Sequence, residues 1–205
     1  MPFYAQHIKA ARLHLQKNDP VMKRVLKLVG PFVAKIQRDR FATLVNSILS
    51  QQISVAAATA IRQRLLEATE EAGINPESLL RFDLESLRRL GLSQQKATSV
   101  LSLAEHVRSG LVVLETIHQK NDQDVIAELT QVQGVGEWTA QVFLMFSLGR
   151  LDVLPVDDLG IKQAIQDRYD LEELPGSAEV ESIAENWRPY ATVASWYLWQ
   201  SLELE

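Results

Sequence analysis

Two adjacent carboxylates, Asp157 and Asp158, close the least helical stretch of the chain, residues 149–158. The stretch is extended, contains Pro155, and delivers both side chains to a helix predicted to start at about Leu159. Carboxylates at a helix start can cap its free N–H groups and interact favourably with its dipole. A second pattern able to do chemistry lies some 20 residues upstream, where Gly134, Val135 and Gly136 separate a helix ending near Gln131 from one starting near Glu137. Glycine permits positive φ and close approach of another backbone. Such a turn exposes several N–H groups at a helix N-terminus, which is an anion site. Gly-x-Gly alone fits many loops. With a helix before it, Trp138, Thr139 and Ala140 after it, and an aspartate further on, the pattern is more specific.

Composition removes other chemistries. The 205 residues include no cysteine, so disulfides, thiolate zinc sites, cysteine nucleophiles and a cysteine-ligated iron–sulfur cluster are excluded. The four histidines, His7, His14, His106 and His118, form no i, i+4 metal-binding pair. The net charge of -5 counts against nucleic-acid binding by bulk electrostatics. A helix N-terminus, however, binds phosphate with backbone N–H groups and no cation. Lys96, Arg62 and Lys162 are candidates for a local basic surface, each with an ordinary solvated charge as the alternative. No apolar run approaches the ~18 residues of a membrane span. Met1 to Leu15 is interrupted by His7, Lys9 and Arg12, unlike a signal peptide. A cytoplasmic protein, nucleoid-associated if bacterial, is expected.

The elements that must position these residues read as helices nearly throughout. Apolar residues recur at helical spacing at Ile61, Leu65 and Ala68, and at Val100, Leu103, Ala104 and Val107. No segment alternates long enough to argue a strand. Caps are predicted at Asp19 before Pro20, Asn75 before Pro76, Asp83, Ser93, and Asn121 or Asp122. Stops are predicted at Gly30, Gly73, Gly91, Gly110 and Gly149. About ten short helices are expected, with no long linker and no internal repeat.

Three segments, in order, carry a family resemblance. They are Ile48-Leu49-Ser50-Gln51-Gln52-Ile53-Ser54-Val55, then residues 132–140 running on to Pro155-Val156-Asp157-Asp158-Leu159-Gly160-Ile161-Lys162, and finally residues 187–196. Together they resemble the helix–hairpin–helix DNA glycosylase superfamily, in its 3-methyladenine DNA glycosylase II-like, alkylpurine branch. The resemblance implies an all-α, two-lobed fold with a cleft between lobes. Residues 1–39 plus 150–205 would form one lobe, and residues 40–149 the other, ending in the hairpin. The β-rich N-terminal lobe of some relatives is not expected.

The resemblance also implies a function: flipping alkylated purines such as 3-methyladenine and 7-methylguanine out of duplex DNA and excising them by hydrolysis, as a monomer. A carboxylate would stabilise the oxocarbenium-like charge on the sugar and orient or activate water. Counting back from Leu159, Gly160, Ile161 and Lys162 favours Asp158, with Asp157 as the alternative and the remaining aspartate as a cap or a supporting partner. Gly134, Val135, Gly136 and Thr139 would grip phosphate. Carbonyls of Thr130, Val132 and Val135 would hold a monovalent cation (Na or K), no cofactor being required. Gln52 matches the wedge that fills the vacated stack, with Ile53 beside it; a plain polar break after a helix starting near Phe41 is the alternative. Trp138, Trp196, Tyr190 and Val142 would line the base pocket, whereas Trp187 and Trp199 are expected in the core. Close relatives carry tyrosine where this chain has Val142, a smaller wall that would change the range of bases accepted. The Schiff-base lysine of lyase relatives is replaced by Trp138, so no strand cleavage is expected. The rival readings are a glycosylase for neutral purines such as hypoxanthine and a non-catalytic DNA-binding module.

Overall fold

The computed structural model describes residues 5–204. The described residues form twelve α-helices and three short 3-10 turns joined by irregular segments, and contain no strand. The helices are α1 (Ala5–Asn18), α2 (Pro20–Val29), α3 (Arg40–Ser50), α4 (Val55–Thr69), α5 (Pro76–Leu79), α6 (Leu84–Arg89), α7 (Gln94–Arg108), α8 (Asp122–Leu129), α9 (Glu137–Phe146), α10 (Leu159–Tyr169), α11 (Ser177–Ala184) and α12 (Ala191–Leu202). The two beyond the expected ten include the short α5 and α6, too brief to show a hydrophobic period.

Local chemistry sets most boundaries. Asp19, Asn75, Asp83, Ser93 and Asn121 each sit in extended backbone and accept an N–H from the first helical turn. Each such cap contributes about 1 kcal/mol. Asn75 and Ser78 form a reciprocal capping box. The predicted glycine stops all have positive φ.

Two compact units result. Among the described residues, those up to Ile36 together with those from Leu144 form one, and Gln37–Phe143 form the other. The first unit is centred on α12, whose residues Ala191–Leu198 are all buried. Around it lie Leu15, Met22 and Leu26 from α1 and α2, Ile161 and Ile165 from α10, and Trp187. The second unit buries Leu44, Ile48, Leu65, Val100, Leu103, Leu129 and Phe143. Each fully buried aliphatic side chain contributes roughly 1.5–3 kcal/mol.

Lys96 is a difference from the sequence reading. It is buried on α7, and its ammonium donates to the Leu49 carbonyl at 2.6 Å. Desolvation pushes its pKa down. A cation on the last carbonyls of α3 complements that helix's dipole, so Lys96 braces the end of α3 rather than facing solvent.

Candidate functional site

The two aspartates have different surroundings. Asp158 is the N-cap of α10, with Oδ1 accepting the Ile161 N–H at 2.7 Å. The same oxygen accepts the Trp199 indole N–H at 2.8 Å. Asp157 turns outward, its side chain 81% exposed. Its Oδ1 accepts from Ser177 Oγ at 2.5 Å and from Lys162 Nζ at 3.2 Å. The Ser177 hydroxyl, then the Lys162 ammonium, hold the Asp157 carboxyl below its usual range. The sequence reading favoured Asp158 for catalysis and left the other aspartate as a cap or a supporting partner; the cap of α10 is Asp158 itself. Trp199, expected in the core, is the residue that sequence reasoning missed. The only sequence signal was its position three residues beyond Trp196.

Steric room makes the Asp158–Trp199 contact possible. A Cβ on Gly160 would lie 3.1 Å from Asp158 Oδ1 and 3.1 Å from Trp199 Cδ1. Glycine after Leu159 thus lets the indole reach the cap. The segment leading to Asp158 is stapled from the start of α12. Buried Thr192 donates its hydroxyl to the Arg150 carbonyl at 2.7 Å and accepts the Val153 N–H at 3.0 Å. Asp152 accepts the Ala191 N–H at 3.2 Å and pairs with Arg188 at 3.2 Å. Residues 187–196 therefore help to hold the segment that carries Asp158.

In the other unit, the turn between α8 and α9 has the expected glycine geometry at Gly134 but not at Gly136, where φ is not positive and a Cβ would meet nothing. Gly134 has φ +82, and a Cβ there would lie 1.9 Å from Ser99 Oγ. Val135 donates its N–H to the Val132 carbonyl at 3.0 Å, and both valines are buried. The helical ladder of α9 begins with Ala140 N–H on Gly136 O, at 3.1 Å. The N–H groups of Glu137, Trp138 and Thr139 precede that first bond and so point along the helix start. Thr139 differs from expectation. Its side chain is 2% exposed, with Oγ1 within 3.3 Å of the Gln51 amide, so its hydroxyl faces the protein. The carbonyls of Thr130, Val132 and Val135 lie on a turn anchored by buried valines. Uncharged carbonyl oxygens on a fixed backbone are a donor set that suits a monovalent cation. No group of three His, Asp or Glu that could hold a metal occurs among the described residues.

The third feature is the connection from α3 to α4. Gln52 adopts φ +55, rare for a residue with a Cβ, and is exposed. Ile53 is 38% exposed and borders a pocket of about 270 Å³ with Asn46, Leu49, Ser50, Ala58, Thr59 and Arg62. Ser54 caps α4. The exposed Gln52 and Ile53 thus stand at the apex of a tight connection.

The aromatic candidates divide. Trp138 is 40% exposed on the first turn of α9, and Val142 is half-buried one turn later. Trp196 is 8% exposed and packs on Phe32 at 4.5 Å and Tyr197 at 5.0 Å, which makes it part of its unit's core rather than an open wall. Tyr190 is half-buried, with its ring edge-on to His14 at 5.4 Å. Trp187, as expected, is wholly buried. Lys162 is engaged with Asp157 and Ser177, whereas Arg62 is exposed beside Ile53.

Residues 45–189 match the family model described as HhH-GPD superfamily base excision DNA repair protein. The chain belongs to this family. The match begins just before the Ile48–Val55 segment, spans the hairpin and Asp158, and ends within residues 187–196. Among HhH-GPD relatives, DNA-3-methyladenine glycosylase 1 of Schizosaccharomyces pombe is 34% identical over 199 residues, covering 95% of this chain and 87% of that protein. The solved S. pombe 3-methyladenine DNA glycosylase in complex with abasic DNA superposes with a TM-score of 0.87, over 95% of this chain and 97% of that one. The DNA-3-methyladenine glycosidase of Bacillus halodurans gives 0.80, at 35% identity, over 92% of this chain and 87% of that one.

Proposed function

We propose that this HhH-GPD protein is a monofunctional DNA glycosylase that hydrolyses alkylated purines from duplex DNA. The observation that carries the reading is Asp158, a half-buried carboxylate fixed by the Ile161 N–H and the Trp199 indole, in a chain whose relatives are named for 3-methyladenine excision.

The chemistry follows from the charge flow. An N3- or N7-alkylated purine is already cationic. When its N-glycosidic bond breaks, the electron pair leaves with the base, which becomes neutral, and positive charge moves to the sugar. Asp158 supplies fixed negative charge against that oxocarbenium-like centre, and its orientation is set before reaction. Water then adds to the anomeric carbon and loses a proton, which Asp158 can accept directly or through water. The cationic base needs no protein acid to leave. An electron-rich ring such as exposed Trp138 attracts it by cation–π contact, worth ~0.5–2 kcal/mol.

The first turn of α9 offers backbone N–H groups to a phosphate, and this needs no net positive charge on the protein. A monovalent cation held by the carbonyls of Thr130, Val132 and Val135 would add positive charge beside that phosphate. Gln52 and Ile53, exposed on the turn between α3 and α4, would fill the space of the extruded base. Trp138 occupies the position where lyases need an amine, and an indole forms no Schiff base. The sugar–phosphate strand therefore stays intact.

The test is to incubate the protein with N-methylated duplex DNA, chromatograph the freed bases, and run the end-labelled duplex with and without hot alkali. Freed 3-methyladenine or 7-methylguanine, with strand breaks only after alkali, is expected. Absence of freed base, or breaks without alkali, contradicts the reading.

A further inference from the structure

Gln51 joins the connection between α3 and α4 to the hairpin by side-chain hydrogen bonds. It ends α3, and its amide Nε2 donates to the Gly134 carbonyl at 3.1 Å and to Thr139 Oγ1 at 3.3 Å. The two acceptors bracket the start of α9, one on each side of Gly136. Both are immobile. Gly134 lies against Ser99 so closely that no Cβ fits, and Thr139 is 2% exposed. One planar amide with two N–H groups, on two acceptors fixed by packing, makes a two-point clamp.

What the clamp holds is the residue after it. Gln52 sits at φ +55, a conformation that persists in a residue with a Cβ only when its surroundings over-determine it. Ser54 fixes the far side by capping α4, with Oγ accepting the Ala57 N–H at 3.2 Å. Gln51 fixes the near side.

We propose that Gln51 is a positioning residue that makes the exposed Gln52–Ile53 turn and the hairpin one mechanical unit. The inference rests on the DNA glycosylase reading above. Inserting a side chain into duplex DNA means overcoming base stacking. A wedge on a compliant turn is pushed back; a wedge tied to the element that grips the phosphate is not. Gln51 therefore acts on base extrusion and leaves bond breaking alone.

The test compares wild type, Gln51→Ala and Gln51→Glu on one N-methylated sequence, as duplex and as single strand. Gln51→Glu keeps the shape but presents oxygens to the Gly134 carbonyl. Both variants should lose about tenfold or more in kcat/KM on duplex DNA and less than about threefold on single strand, with Gln51→Glu the weaker on duplex. Equal losses on both substrates would mean a general folding role and overturn the proposal, as would a fully active Gln51→Glu. A second readout is independent of turnover: 2-aminopurine beside an abasic-site analogue in a duplex, whose fluorescence reports unstacking. Wild type should change it on binding, and the variants should bind with a smaller change. If wild type frees no base but perturbs 2-aminopurine, the glycosylase reading fails and the variants' fluorescence alone decides Gln51. If wild type leaves the fluorescence unchanged, the positioning role is wrong.

Discussion

Asp19 and Asp158 are built with the same parts and end differently. Each caps a helix through Oδ1, and each receives an indole N–H from the C-terminal part of the chain. At Asp19 the donors spread over both oxygens. Oδ1 accepts Val21 and Met22 N–H at 2.8 and 3.0 Å, while Oδ2 accepts Trp187 Nε1 at 2.9 Å and the Tyr169 hydroxyl at 2.5 Å. The group is 4% exposed, enclosed by α1, α2 and Trp187. At Asp158 the cap and the indole both fall on Oδ1, and the residue is only half-buried. A carboxylate whose two oxygens are both occupied by interior donors holds elements together. One that is only half-buried, oriented by its cap and an indole, can still act on a ligand.

Substitution at Asp19 should have the largest effect. Asp19→Ala removes a cap and strands two buried donors, which should cost about 3–5 kcal/mol. Chemical denaturation measures this, and base release per folded molecule should stay near wild type. A loss below about 1 kcal/mol would mean that the network does not hold the unit.

The two indoles should separate function from stability. Trp199→Phe keeps a ring and deletes the donor to Asp158; we expect roughly tenfold slower base release, as for one hydrogen bond to a charged group, with little change in stability. Trp187→Phe should cost about 1–3 kcal/mol and leave the rate alone. If both variants act on stability only, Asp158 is merely a second Asp19.

The smallest effect lies in the alkaline limb of stability. Burial first, then the hydrogen bond and charge of Asp19, raise Tyr169 above its ordinary value of 10.0. The folded chain keeps a proton that the unfolded chain loses above that value, so stability falls as pH rises past about 10, by up to about 1.4 kcal/mol per pH unit for each such group. Burial raises Tyr197 as well, so it contributes in the same direction. Tyr169→Phe should flatten the decline without removing it. Parallel curves for wild type and variant would contradict the placement of Tyr169 against Asp19.

What the sequence revealed was what neighbours in the chain decide. The caps at Asp19, Asn75 and Ser93, the turn at Gly134, and the start of α10 after Asp158 all depend on residues within one helical turn. The family segments were legible too, because their order and spacing are written in the chain. What stayed hidden was contact across long separations. Nothing local shows that Gln51 reaches Gly134, 83 residues on, or that Trp199 reaches back 41 residues to Asp158. Burial was the other blind spot. Lys96 and Thr139 look like surface polar residues in a line of text, yet each is buried with its polar atom satisfied by another segment.

On this mechanism Asp158 supplies the negative charge that lets the base depart. Single-turnover release of 7-methylguanine from methylated duplex DNA tests it most directly, with wild type, Asp158→Asn and Asp157→Asn compared at equal, saturating protein. Asparagine still caps α10 and still accepts from Trp199, so Asp158→Asn should fold and bind DNA as wild type does while its rate falls at least about 100-fold. Asp157→Asn, altering an exposed carboxylate held by Ser177 and Lys162, should stay within about threefold of wild type. An active Asp158→Asn, or a larger loss at Asp157 than at Asp158, would contradict the account.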